Sequence, residues 1–185
     1  MYLFLVPLFL GFAFNSASAF TSAYSARLGE RRGQLVSVLL WDVLGIPVWA
    51  LGLVLAVRAP ASQLVATDGV SDTFAWFLLG MGSLLQVWAF IFIRVRAVAP
   101  TARDSLVRQG PYAHIRHPMY TGLLCQFAGL VWYVPTFPVA LACLLGVGWA
   151  VLQAHLEERD LLRRVPGYGQ YMQQVPRFFP RPGKK

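Results

Sequence analysis

The side chains best equipped for chemistry fall in two short stretches. One is Gly110-Pro111-Tyr112-Ala113-His114-Ile115-Arg116-His117-Pro118-Met119-Tyr120-Thr121-Gly122, which packs two tyrosines, two histidines and two glycines into thirteen residues. The other is His155-Leu156-Glu157-Glu158-Arg159-Asp160, with two adjacent carboxylates in a region otherwise dominated by arginine. A carboxylate such as Glu157 accepts hydrogen bonds from hydroxyl or ammonium groups, and the charge strengthens those bonds. Tyr112 and Tyr120 offer aromatic faces that stack on flat rings or attract cations. Arg116 and His117 suit an anionic group or the orientation of a substrate. On a helix Glu157 and Glu158 point about 100° apart, so at most one of them looks into a shared pocket. An arginine anchor at a helix entrance would explain Arg108 and Arg116, but not the tyrosines, histidines and glycines around them.

The elements that must hold these residues are apolar. Of 185 residues 57% are hydrophobic and 13% charged, against roughly 45–50% apolar and 25% charged in soluble domains. That excludes a water-soluble globule and a disordered chain. The formal net charge of +8 punctuates long apolar runs, so its natural partner is a lipid bilayer with anionic headgroups, not nucleic acid. Met1–Ala26 and Thr73–Ile93 carry no charged side chain, and Leu35–Val57 carries only Asp42. Pro118–Ala154 is uncharged for 37 residues but is interrupted by Pro135 and Pro138, so it reads as two short helices in a hairpin. The expected fold is all-α and integral to the membrane: five transmembrane helices with a C-terminal hairpin, and a cytoplasmic loop and tail. It forms one domain over residues 1–185, with three N-terminal spans in 1–93 and a catalytic region in 94–185.

The distribution of charge orients these spans. Fifteen of the sixteen basic residues fall on one side of a five-span arrangement, Arg58 being the exception. By the positive-inside rule the N-terminus lies outside, and the loop Arg94–Arg116 and the tail face the cytoplasm, as in a multi-pass protein of the cell inner membrane. Tyr2–Phe14 followed by Ser16-Ala17-Ser18-Ala19 has a signal-peptide flavour, but without a basic n-region it is read as a span. Gly80, Gly82, Gly122, Gly129, Gly146 and Gly148 fall in spans and suit close helix packing, and Gln86 and Gln126 suit interhelical hydrogen bonds. Asp42 is an intramembrane acid, equally suited to a pairing role and to substrate contact. His114, His117 and His155, with an i,i+3 pair, could suggest a metal, and a catalytic zinc would ask for three protein ligands with carboxylates behind them. Cys125 and Cys143 lie in apolar runs and propose no disulfide.

Arg116-His117-Pro118-Met119-Tyr120-Thr121-Gly122 resembles the R-H-P-x-Y-x-G motif of the isoprenylcysteine carboxyl methyltransferase family. Leu106-Val107-x-x-Gly110-Pro111-Tyr112 resembles that family's approach to the motif. Glu157-Glu158, Gly167-Tyr168-x-x-Tyr171 and Val175-Pro176-Arg177-Phe178-Phe179-Pro180 are similar to its C-terminal signature. The resemblance covers roughly Asp104–Pro180. It implies an integral-membrane methyltransferase whose cofactor, S-adenosylmethionine, sits at the cytoplasmic ends of the last helices under the C-terminal segment. Carried over, the cofactor-binding positions are Asp104, Ser105, Leu106, Val107, Tyr112, His117, Pro118, Met119, Tyr120 and Glu157. Arg116 is the candidate substrate orienter, and the resemblance implies no metal. Gln153 stands where the prenylcysteine-specific members carry a substrate-contacting arginine, and so is a candidate substrate contact.

The expected function is therefore methyl transfer from S-adenosylmethionine to a small lipophilic or amphipathic acceptor, such as an isoprenylcysteine-like carboxylate. Two other readings are an NADPH-dependent sterol or enone reductase of related membrane fold and a non-catalytic membrane interaction protein. Since methyl transfer is an in-line displacement, it needs proximity, alignment and exclusion of water more than it needs a general base, and none is assigned.

Overall fold

The computed structural model describes residues 2–93 and 105–181. Asp104 lies outside the described residues, as do the arginines at 94, 96 and 103 and the two closing lysines. The protein is all-helical. In chain order it runs α1 (Leu5–Ser18), α2 (Thr21–Leu28), α3 (Glu30–Val57), α4 (Gly69–Ile93), α5 (Pro118–Tyr133), α6 (Phe137–Arg164) and α7 (Tyr168–Gln174).

Among the described residues α3, α4 and α6 are long and apolar enough to cross a membrane, and α1 with α2 would make a fourth crossing. These two are not one straight span: they bend by 62° at Ala19–Phe20, inside the uncharged run Met1–Ala26. The cause is polar. The Ser18 hydroxyl turns back to the Asn15 carbonyl at 2.6 Å, and the first amides of α2 face a carboxylate from α6, with Ser22 N–H donating to Asp160 Oδ1 at 3.1 Å. An acid at a helix N-terminus satisfies donors that have no partner within the helix. Gly29, at φ +81°, then turns the chain into α3.

The proline pair breaks the long uncharged run between Tyr133 and Phe137, and α6 continues past Ala154 to Arg164. The 16 residues of α5 reach about 24 Å, short of a hydrocarbon core of about 30 Å, so its length alone does not make a fifth crossing. The loop after α3 is tied to the α5–α6 turn through Leu64 N–H and Pro135 O at 2.7 Å.

Small residues set the helix spacing. A Cβ on Gly82 of α4 would lie 2.4 Å from Gly122 O, and one on Gly122 would lie 2.5 Å from Gly82 O. The α4 and α5 backbones therefore touch, as small residues permit in membranes. Beside that contact Gln126 Nε2 donates to Gln86 Oε1 at 3.1 Å and to Ser83 Oγ at 3.0 Å. Gly80 and Gly148, by contrast, face open space and join no helix pair. The core between α1, α3, α5 and α6 is aromatic: Phe12 stacks on Trp149 at 4.8 Å, with Trp49 6.1 Å and Trp41 6.4 Å from the same ring. Phe74, Trp76, Phe77 and Leu84 of α4 are exposed on the surface left to lipid.

Candidate active site

Folding brings the two polar stretches together at one end of the bundle. Pro118 occupies the first turn of α5, where its missing N–H costs nothing. Ahead of it, Gly110 (φ +58°) and Pro111 open a single 3₁₀ turn that buries Tyr112. Opposite, the last turns of α6 carry Glu157, Glu158 and Asp160 beyond the apolar part of that helix.

The two glutamates diverge as helical geometry requires. Glu157 accepts a short hydrogen bond from the Tyr120 hydroxyl and a second from Gln153 Nε2 at 3.1 Å, with His117 Nδ1 at 3.8 Å. Glu158 is 2% exposed and would be untenable there without compensation. It receives His117 Nε2 at 3.0 Å, Arg177 Nε at 3.1 Å, Arg177 Nη2 at 2.5 Å and Arg116 Nη2 at 3.3 Å. A carboxylate only accepts, so Nε2 of His117 is the donor in this contact.

This cluster anchors the C-terminal segment. Arg116 N–H donates to Pro176 O at 2.9 Å, His117 N–H to Arg177 O at 3.0 Å, and the Thr121 hydroxyl to Phe178 O at 2.9 Å. On the other flank α7 leans over the loop: Tyr171 donates its hydroxyl to Tyr112 O at 2.6 Å, and the Arg108 guanidinium sits 5.6 Å above the Tyr171 ring. Burial holds the phenols neutral. It pushes Tyr171 up to about 12, and Tyr112 and Tyr168 are raised further by burial and by the charges of Glu157 and Glu158 respectively. The bond to Glu158 raises Arg177, which stays a cation.

Between these pieces lies a cavity of about 220 Å³, far more than the roughly 30 Å³ of one water. Ser105, Leu106, Val107, Tyr112, Arg116, His117, Met119, Tyr120 and Glu157 all line it. Pro118 is buried as the start of α5 and does not reach the wall. Nor does Gln153: fully buried, it spends its amide donors on Asn15 O and Glu157 Oε1, both at 3.1 Å. Asp42, His114 and His155 are also absent from the lining.

Sequence reasoning missed the wall made by the N-terminal half. Ser18, Ala19, Thr21, Ser37 and Trp41 line the cavity, with Asp160, Arg164, Tyr168 and Tyr171 closing it. Asp160 holds this wall in place through Ser22, whose amide and hydroxyl both donate to it, while Arg164 Nε donates to its other oxygen at 2.7 Å. The only hint was a third acid after the glutamate pair, because the partner lies 138 residues away. Among the described residues no three His, Cys, Asp or Glu side chains group as a metal site.

The arrangement can bind a molecule carrying both charges. Arg116, nine-tenths buried, has its Nε N–H buried without a partner, and two arginines share the single charge of Glu158. Glu157, with the rings of Tyr112 and Tyr120 beside it on the wall, offers an acceptor for donors or cations.

Residues 70–170 match the family model described as phospholipid methyltransferase. Over 105 residues the chain is 30% identical to the nickel-cobalt-cadmium resistance protein NccN of Alcaligenes xylosoxydans xylosoxydans, covering 55% of this chain and 46% of that protein. Over 106 residues it is 27% identical to the cobalt-zinc-cadmium resistance protein CzcN of Cupriavidus metallidurans, covering 56% of this chain and 46% of that protein. The matches thus span about half the length of these curated relatives. No solved structure matches significantly.

Proposed function

The chain belongs to the phospholipid methyltransferase family, and from that membership we propose that it moves a methyl group from S-adenosylmethionine to a small lipophilic or amphipathic acceptor at the membrane surface. The observation that carries this reading is the cavity at the end of an apolar bundle, where Glu157, Tyr120, Tyr112 and Arg116 share one wall. The donor set fits the cofactor. Arg116 suits its carboxylate, Glu157 suits its ammonium or ribose hydroxyls, and the tyrosine rings suit its adenine. Ser105, Leu106, Val107 and Met119 supply the remaining contacts, and Asp104 joins them on the strength of the motif alone.

When bound, S-adenosylmethionine supplies an electrophilic methyl whose bond to sulfur breaks as the acceptor's lone pair bonds to carbon, leaving a neutral thioether. The residues hold and align. Glu157 is fixed by Tyr120 and Gln153, His117 is fixed by Glu158, the Pro176–Phe178 strap holds Arg116, His117 and Thr121, and Tyr168 and Tyr171 of α7 line the cavity. The acceptor enters sideways from the bilayer, where a lipophilic molecule is already concentrated, while the cofactor arrives from the cytoplasm. The protein is then a five-span protein of the cell inner membrane, with α5 and α6 as its last two crossings.

Each buried CH₂ of the acceptor contributes about 0.8 kcal/mol of binding. Transfer of a labelled methyl group to a lipid extract should therefore be followed by a homologous series bearing one nucleophilic headgroup. Activity is expected to climb with chain length until the groove is filled. A flat response, or best activity on a fully water-soluble acceptor, overturns lateral entry and leaves methyl transfer standing.

A further inference from the structure

We propose that Trp41 is a cofactor-binding residue that, with Tyr120, forms an aromatic corner for the sulfonium of S-adenosylmethionine. This inference rests on the methyl-transfer reading above. Trp41 lies outside the segment that matches the family, yet its side chain lines the same cavity as Tyr120 and Glu157.

The backbone goes out of its way to put the ring there. Residues Leu39–Gly45 wind as a π-helix, and Ile46 N–H reaches back to the Trp41 carbonyl. A π-helical turn inside a helix is uncommon and is frequently found at functional sites. The fully buried Asn15 donates Nδ2 to that same carbonyl at 3.2 Å. A Cβ on Gly45 would fall 2.2 Å from Asn15 Nδ2, so only glycine at that position leaves room for the bracing amide. The turn is braced, and with it the main chain from which the ring projects.

The surroundings of the ring favour a cation. Trp41 and Tyr120 have centroids 6.4 Å apart and planes inclined at 73°, so the two rings meet as a corner. Tyr120 donates its hydroxyl to Glu157, which brings a carboxylate up to the corner. The nearby guanidinium of Arg116 and the ring of His117 are both engaged with Glu158. Indole is the strongest of the aromatic faces for a cation, and the attraction grows where water is excluded.

Sulfonium charge exists only before transfer, since the demethylated product is a neutral thioether. A cation–π corner therefore favours S-adenosylmethionine over S-adenosylhomocysteine, whereas a ring that merely packs or stacks on adenine treats both alike. The test is calorimetric titration of the protein in nanodiscs with each ligand, for wild type, Trp41→Phe and Trp41→Leu. Trp41→Leu is expected to weaken S-adenosylmethionine roughly fivefold and to leave S-adenosylhomocysteine unchanged, with Trp41→Phe in between. Equal losses for both ligands, or no loss for either, overturn the proposal. Trp41→Phe keeps a ring in the core and carries the comparison if the leucine variant does not fold. A wild-type protein that binds neither ligand overturns the cofactor reading itself, a result distinct from any change in the ratio.

Discussion

Glu157 and Glu158 are adjacent in the chain and opposite in employment. Glu157 faces the cavity, with Tyr120 and Gln153 as its donors, and Glu158 is buried under two arginines and a histidine. Glu157→Gln keeps the shape and removes the charge, so S-adenosylmethionine binding is expected to weaken by about 1.5–3 kcal/mol while the strap stays closed. Glu158→Gln leaves Arg116 and Arg177 without their counter-charge, so it is expected to loosen the strap. Titration calorimetry and limited proteolysis after Arg177 separate the two; unchanged affinity in well-folded Glu157→Gln removes that residue from the site. The 100° helical step anticipates this division, and the Arg-His-Pro-x-Tyr spacing marks the residues that meet it. Trp41, Ser18, Thr21 and Ser37 were not legible as wall residues, because what brings them to the cavity is a bend and a π turn held by partners far away in the chain.

At the scale of elements, the proline pair announced the α5–α6 hairpin and the apolar runs announced α3, α4 and α6. The break between α1 and α2 left no such mark. Residues 1–26 are uncharged throughout, and the bend depends on Asp160 of α6 accepting from Ser22, 138 residues earlier in the chain. Glycine was informative only where a neighbour presses on it: Gly82 and Gly122 meet backbone to backbone, whereas Gly80 and Gly148 meet nothing. Gly82→Val drives a side chain into the Gly122 carbonyl and is expected to destabilise the α4–α5 pair by about 1–3 kcal/mol. The same change at Gly80 should cost far less. Thermal inactivation of the two variants in one detergent checks the contrast, and equal losses would mean that the helices do not touch there.

For the whole molecule, the segregation of basic residues remains the strongest statement about orientation. A cysteine-free background carrying Ser71→Cys or Ser105→Cys is expected to label from opposite sides of sealed membranes. Labelling of both from the same side means that α4 does not cross and rules out the five-span arrangement. The molecule also divides by origin. The segment matching the family, 70–170, supplies the motif loop and the glutamates, while the first three helices supply the opposite wall of the cavity.

Beside that cavity the C-terminal segment is held by its own peptide groups: the carbonyls of Pro176, Arg177 and Phe178 accept from Arg116 N–H, His117 N–H and the Thr121 hydroxyl. No single side-chain rotation undoes such an attachment, so lifting this segment off Arg116 and His117 means peeling back a length of main chain. Segmental motions of that kind run on the microsecond-to-millisecond scale and often set the pace of an enzyme. Release of the C-terminal segment is then a main-chain event on that scale.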